Sequence, residues 1–422
     1  MRNSIILAAV AVLLFASSGR AQQKRPNPEA PTESVPGVNL EQLDLLKDVA
    51  TRPEIGLAEF LDLASRTNPT LDQATDLVRR SEAQARQAGL YPNPTIGYQG
   101  EQIRGGAYGG GEQGAFVQQT IVLGGKLGLR RKVYEQESRS DQIGVEEQTS
   151  RVRNDVTQAF YAALAAQAAV VIRQRLLGVA TDAVLTVHQL SNVGQADAPD
   201  VLQAEVEAEQ AKVDFVKAQR RFMQDFRALA ALAGKPDLPL SPLRGTLESA
   251  PQLNAEQQVE SIVSSSPSVK RAEQEAAVAE AKLRDARREA VPDLELRAGE
   301  QHNGEQLTTE PLPKAVGMQS FATAGINIPL WNRNQGNVAA ANAELEQAGK
   351  EVERTRLEIR RAAEPMAQSY LAAQYTAEHY RTELIPRAQR AYQLYLAKYQ
   401  TMAQAYPQVL ISQRTLFELQ IG

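Results

Sequence analysis

The chain has 422 residues, no cysteine, and a formal net charge of −4 from 46 basic and 50 acidic side chains. That length exceeds one small core and asks for several layers or domains. The missing cysteines exclude a disulfide framework, thiolate chemistry and the commonest structural zinc sites, and the mild acidity gives no footing for nucleic acid.

Residues 1–21 read as a secretory signal. Arg2 supplies a basic start, residues 5–16 are apolar, and a small-residue cleavage site closes at Gly19-Arg20-Ala21. An apolar run of about a dozen residues is too short to span a bilayer, so the segment predicts export, and with no cysteine after it the chain is not an acylated lipoprotein. Residues 22–56 follow as an N-terminal periplasmic segment. Beyond the signal no stretch approaches the roughly 18 uninterrupted apolar residues of a spanning helix. A mature protein in a membrane must then sit there as a closed β-barrel.

From residue 57 the chain repeats one design, at 57–234 and 257–422, with a linker or equatorial region over 235–256. Pro69 and Pro267, Pro92 and Pro292, and Pro199 and Pro407 are offset by 198, 200 and 208 residues, a duplication with one longer insertion. In the first copy a helix opens at Leu57-Ala58-Glu59-Phe60 and runs to the Asn68-Pro69 step, and a second covers 71–88. Strands follow at about 95–102 and 115–123 around a Gly-rich loop, with Ile96 and Tyr98 alternating with Gly97 and Gln99.

Lys126–Asn192 then reads as one helix on the order of 100 Å long. Its heptad rows are Val145, Val152, Ala159 and Ala166, and Val156, Ala163, Val170, Leu177 and Val184, which is coiled-coil spacing. The returning helix offers Leu202, Val206, Val213, Val216 and Met223 as the matching face. The second copy places Val259 to Ile262 ahead of Ser266-Pro267, a helix over 269–290, and strands at about 294–299 and 321–330. There Ala322, Ala324, Ile326, Ile328 and Leu330 alternate with Thr323, Gly325 and Asn327. A long helix over 337–399 carries Pro365 and Pro386, which predict kinks. Strands of eight to ten residues suit a tilted bilayer crossing, although soluble hairpins share the pattern. The fold class expected is mainly α with a membrane β-barrel.

The string Ile328-Pro329-Leu330-Trp331-Asn332-Arg333-Asn334-Gln335-Gly336 makes physical sense as a strand-to-helix junction. Pro329 cannot donate to a ladder, Asn332 or Asn334 is placed to cap the helix, and Trp331 suits a membrane–water boundary. This string resembles the junction of the TolC-type outer-membrane efflux proteins, in particular the CzcC-like heavy-metal branch that serves RND pumps. The first-copy run Gln119-Thr120-Ile121-Val122-Leu123-Gly124-Gly125-Lys126 is also similar to that branch, and the resemblance covers nearly all of the chain beyond the signal.

The resemblance implies a homotrimer in which each protomer gives four strands to a 12-stranded barrel. Duplicated helix pairs form a coiled-coil tunnel across the periplasm. Apolar barrel positions face outer-membrane lipid and polar ones the lumen. Opening is implied to be an iris-like unwinding when a periplasmic adaptor and an inner-membrane RND pump engage, with heavy-metal cations as the expected substrate. The tips are the turns at 191–200 and 399–408. By resemblance Val193, Gly194, Gln195, Met402 and Ala403 meet the adaptor, and Asp197 and Asp200 line the constriction. Those two aspartates also read as plain helix caps. Ser191-Asn192-Val193-Gly194 stands in the family's Tyr-x-x-Gly turn, and at the other tip Tyr399 is kept while Met402 replaces the glycine. After Pro199 the first copy runs 35 residues to Gly234, whereas 15 follow Pro407, so the last helix is expected to be about five turns shorter.

Nothing in the sequence supports an enzyme, a cofactor or a metal centre. His188, His302 and His379 stand at no ligand spacing, the Gly105–Gly111 run lacks the ending of a phosphate loop, and no carboxylate pair stands out as an acid–base couple. Two other readings stay open: a channel for drugs or type I secretion, and a soluble periplasmic coiled-coil adaptor or scaffold.

Overall fold

The computed structural model describes residues 46, 48–49, 51–103, 111–247, 254–307, 314–400 and 406–421. The expected signal, most of the segment after it, and Met402 and Ala403 lie outside the described residues.

Each copy opens with two helices joined at a proline corner. A two-residue strand β1 (Ile55–Gly56) leads into α1 (Leu57–Thr67), where the Glu59 carboxylate accepts from the Gly56 N–H at 3.1 Å. Helix α2 (Pro69–Ala88) follows, with the Asn68 side chain accepting from the Thr70 N–H at 3.0 Å and Pro69 in the first turn. The second copy repeats this with α5 (Ala255–Ser265) and α6 (Pro267–Arg288), where Ser266 accepts from the Ser268 N–H at 3.3 Å.

Helix α3 spans Lys126–Asn192 without a break, as expected, and α4 (Ala198–Leu232) returns along it. At their base Phe60, Phe160, Phe222 and Phe226 are fully buried, with ring centroids 6.0–6.2 Å apart and tilted or edge-on contacts. Strand β4 (Leu243–Arg244) pairs in parallel with β1 over this core. Gln167 of α3 completes the edge: its amide donates to the Leu243 carbonyl at 2.9 Å and accepts from the Leu243 N–H at 2.7 Å.

The heptad reading of α3 holds for Val152, Val156, Ala163, Ala166, Val170 and Leu177, all buried, while Val145, Ala159 and Val184 are half-buried. The matching face on α4 is not the one expected. Leu202, Val206 and Val213 are exposed and Val216 and Met223 half-buried, and the buried stripe is Ala204, Ala211, Phe215, Gln219, Phe222, Phe226 and Leu229. Bulky rings fill the base and alanines allow close approach towards the tip, which turns the aliphatic stripe outward.

In the second copy α7 (Gln335–His379) continues as one helix past Pro365, and a π-helical turn at Tyr380–Leu384 separates it from α8 (Ile385–Gln400). The interruption of the helix lies at Pro386. Pro386 has no N–H to give Thr382, and the Ile385 N–H reaches back five residues to the Tyr380 carbonyl. Helix α9 (Tyr406–Ile421) packs on α8 and on α3.

Four antiparallel strands, β2 (Thr95–Glu101), β3 (Glu112–Ile121), β5 (Leu294–Leu307) and β6 (Lys314–Ile326), form one sheet in the order β2-β3-β5-β6. Several boundaries differ from expectation, and β3 and β6 also begin early, at Glu112 and Lys314. β3 stops at Ile121 because the Leu123 N–H goes to the Asp293 carboxylate, at 3.0 Å. β5 continues past residue 299 through Gln301, His302 and Asn303, polar residues that still alternate faces. β6 ends at Ile326, so Ile328 and Leu330 are not strand positions. Pro329 instead centres a three-residue turn closed by the Leu330 N–H on the Ile328 carbonyl, at 3.0 Å.

Candidate functional site

The register sorts the sheet into two chemically distinct faces. On one, going from the helix end outward, the rows are Ile121, Leu294 and Ile326, then Gln119, Leu296 and Ala324, then Ile96, Val117, Ala298 and Ala322. Ile96, Val117, Leu296 and Ile326 are exposed. The one amide in this band, Gln119, turns its NH2 to the Pro92 carbonyl at 2.8 Å. A fourth row, Tyr98, Ala115, Glu300 and Ser320, turns polar.

The opposite face is mostly polar, with one row of glycines and phenylalanines. Its rows are Thr120, Glu295 and Gly325, then Thr95, Gln118, Arg297 and Thr323, then Gly97, Phe116, Gly299 and Phe321. Beyond these come Gln99, Gly114, Gln301 and Gln319, and last Glu101, Glu112, Asn303 and Gly317. Glu112 accepts from Gln301 at 2.7 Å and from Asn303 at 2.8 Å. Each aromatic of the third row lies over a glycine: a Cβ on Gly97 would meet the Phe116 ring at 2.4 Å, and one on Gly299 the Phe321 ring at 2.8 Å. The Arg297 guanidinium stacks 3.8 Å above the Phe116 ring centre, with Phe321 at 5.7 Å, and donates to Gln99.

Where strands meet helices, the expected junction residues fall into two groups. Gly124 and Gly125 both hold φ of 71°, which turns the chain into α3, and Lys126 begins that helix. Lys126 is almost wholly buried: its ammonium lies 2.7 Å from the Asp293 carboxylate and donates to the Val291 carbonyl at 3.0 Å. Burial works to raise the Asp293 carboxyl, but Lys126 and the Leu123 N–H together hold it below its ordinary value. One helical turn away, Arg130 pairs with Glu289 at 2.9 Å, which raises the guanidinium. Asp285 nearby has one buried carboxylate oxygen without a partner, and burial pushes this carboxyl up against the pull of Arg130. Arg130, Asp285 and Glu289, with Tyr91, Asn93, Tyr134 and Asn334, line a cleft of about 1070 Å3.

In the second junction Asn334 takes the place of Gly125, at φ 62°. It stands at the N-cap, but its side chain makes no cap bond. Instead it donates to the Ala286 carbonyl at 2.8 Å and accepts from Asn337 at 2.6 Å. Asn332 accepts from the Asn334 N–H at 3.1 Å, shaping the turn and not the helix end. Trp331 is 87% exposed, and Leu90, Tyr91, Ile328 and Leu330 are exposed with it. The space around Gly336 is open, so sterics give no reason for a glycine there.

At the first tip Val193 ends α3, Gly194 adopts φ 73°, and the Gln195 N–H returns to the Leu190 carbonyl at 2.8 Å. Asp197 is the N-cap of α4, and the Asp200 carboxylate accepts from the Asp197 N–H at 3.2 Å. Of the histidines set aside, His188 contacts Glu205 at 3.2 Å and His379 stacks on Tyr375. Among the described residues no His, Asp and Glu cluster of metal-binding geometry occurs. Sequence reasoning missed the Lys126–Asp293 contact, Arg297 and the glycine–phenylalanine pairs. A signal for the last existed, since Gly97 and Gly299 hold matching places in the two hairpins.

Comparison with known proteins places this architecture. The profile of the family described as outer membrane efflux protein matches residues 60–235 and again 259–421, once on each copy. The cobalt-zinc-cadmium resistance protein CzcC of Cupriavidus metallidurans is 24% identical over 367 residues, 86% of this chain and 84% of that protein. Among solved structures, CusC superposes with a TM-score of 0.65 at 20% identity, covering 88% of this chain and 91% of that one. The outer membrane protein VceC of Vibrio cholerae gives 0.68 at 17%, over 86% and 90%. The open-state MtrE outer membrane channel of Neisseria gonorrhoeae gives 0.64 at 18%, over 86% and 84%.

Proposed function

The chain belongs to the outer membrane efflux protein family, and from that premise we propose that it is the passive exit duct of a tripartite pump for heavy-metal cations. Membership itself makes it an efflux channel of the outer membrane that reaches into the periplasm, and not an enzyme. The finer reading, with its substrate and partners, rests on further observations.

The observation that carries the duct is the two-faced sheet seated on long helices. Four strands close no barrel by themselves. Three protomers supply twelve, with the apolar band towards lipid and the polar rows towards the lumen. The exposed collar of Trp331, Tyr91, Leu90 and Leu330 suits the interface at the periplasmic ends of the strands. Below it, α3 and α7 continue as the wall of the tunnel, and the turn at Val193, Gly194 and Gln195 meets a periplasmic adaptor fed by an inner-membrane RND pump. Met402 and Ala403 share that role at the second tip. Asp197 and Asp200 then form a ring of carboxylates at the closed end, where like charges set close together favour opening unless cations or partner groups offset them.

The metal assignment is supported by the similarity to CzcC along 86% of the chain. It is tested by expressing the chain with its cognate adaptor and pump in a metal-sensitive strain. Restored tolerance to zinc, cobalt or cadmium is the expected result. Tolerance to apolar drugs with none to these metals would reject the substrate class.

A further inference from the structure

Arg297 is the one basic side chain in the five polar rows of the sheet, among the described residues. Acidic rows flank it: Glu295 lies on the helix side, and Glu101 and Glu112 lie opposite each other at the outer end. Its guanidinium is fixed without being neutralised. Phe116 holds one face, Gln99 takes one N–H, and the Nε group is buried with no partner. Both contacts are uncharged, so no carboxylate pairs directly with the guanidinium, and stacking on the ring restricts where the long side chain points.

We propose that Arg297 is a specificity-determining residue of the channel, a cationic collar that opposes free cations inside an otherwise acidic barrel. The inference rests on the reading above, in which the polar face lines the lumen of a three-protomer barrel. Each protomer then brings one guanidinium to the same height, and low-dielectric walls focus the field of the three charges on the axis. A fixed arginine in a pore raises the barrier to cations and lowers it to anions. Small anions, and cations carried with anionic ligands, cross this section more easily than bare cations. The barrier is the same from either side, so it sets preference and conductance without setting direction.

The test is the reversal potential of purified channels in planar bilayers under a potassium chloride gradient. Arg297→Gln is expected to raise the potassium-to-chloride permeability ratio by roughly twofold at about 0.1 M salt. The change should fade near 1 M, where the screening length falls from about 10 Å to about 3 Å. Gln99→Glu, which puts a carboxylate against the guanidinium and leaves Arg297 in place, should shift the ratio in the same direction; it decides the matter if the first variant does not assemble. Arg297→Lys should keep the wild-type ratio. An unchanged ratio in the glutamate variant, or in an assembled Arg297→Gln channel, would overturn the assignment. Failure of wild-type protein to conduct at all would overturn the channel reading, and this inference with it.

Discussion

The ammonium of Lys126 lies 2.7 Å from the carboxylate of Asp293, joining the first residue of the longest helix to the residue ahead of strand β5. One belongs to the first copy of the design and the other to the second. Their contact fixes where one hairpin leaves the sheet against where the next enters. With the Lys126 side chain only 3% exposed, removing its partner strands a buried charge. Asp293→Asn should therefore cost about 3–5 kcal/mol. Replacing both, Lys126→Met with Asp293→Leu, should cost less than the single change, though not nothing, since Leu123 also loses its acceptor. Thermal unfolding of the wild type and the two purified variants checks the order.

Asp293 and Asp285 should report opposite signs with pH. The Asp293 carboxyl is held low in the folded protein, so its contribution is present above the ordinary value near 3.8 and lost as pH falls through the depressed one. Asp285 is held high. Its protonated form suits the fold, and stability falls as pH rises from 3.8 through the raised value. Asp285→Asn should thus stabilise at neutral pH and do little in acid, while Asp293→Asn destabilises at neutral pH and does little in acid. Unfolding curves that move in parallel for the two variants would defeat the assignment.

Charge placed on the two sheet faces should be tolerated unequally. Ala298→Arg, in the third row of the apolar band, should cost about 2–4 kcal/mol, and Thr120→Arg, opposite Glu295 on the polar face, close to none. The yield of assembled protein in outer-membrane fractions measures the difference. Equal yields would mean that the alternation does not report lipid.

At the tip, Asp197→Asn combined with Asp200→Asn removes the negative charges and keeps side chains that still cap a helix. Divalent-cation block and cation preference should fall while assembly is retained. Single-channel recordings decide it: unaltered block would leave both aspartates as helix caps and nothing more.

Much of this was legible because local chemistry and tertiary position agree. Asn68-Pro69 and Ser266-Pro267 mark their corners, and the proline-free run from Lys126 gave the extent of α3, because caps and prolines act within a few residues. The buried face of α4 was not legible. Leu202, Val206 and Val213 are the more obvious core residues by type, and only the approach of α3 selects Phe215 and Phe222 over them. β5 outruns its expected end because Gln301 and Asn303 have loop chemistry, and the satisfaction they find on Glu112 lies about 190 residues away in sequence. Lys126 was singled out for the junction, but its partner was invisible for the same reason of distance. At the tips sequence gave the candidate turn but not its roles, since capping and lining ask for the same residue types.

The π-helical turn before Pro386 gives the two arms of each protomer unequal mechanics. The first is an uninterrupted rod of 67 residues, whose hydrogen bonds share any sideways load along its length. The second is two rods of 45 and 16 residues with a widened joint between them. A load on the free end concentrates bending where the pitch is already relaxed. In the trimer proposed above, stiff struts and jointed ones alternate around the axis, and the joint is where a sideways load would bend the second arm first.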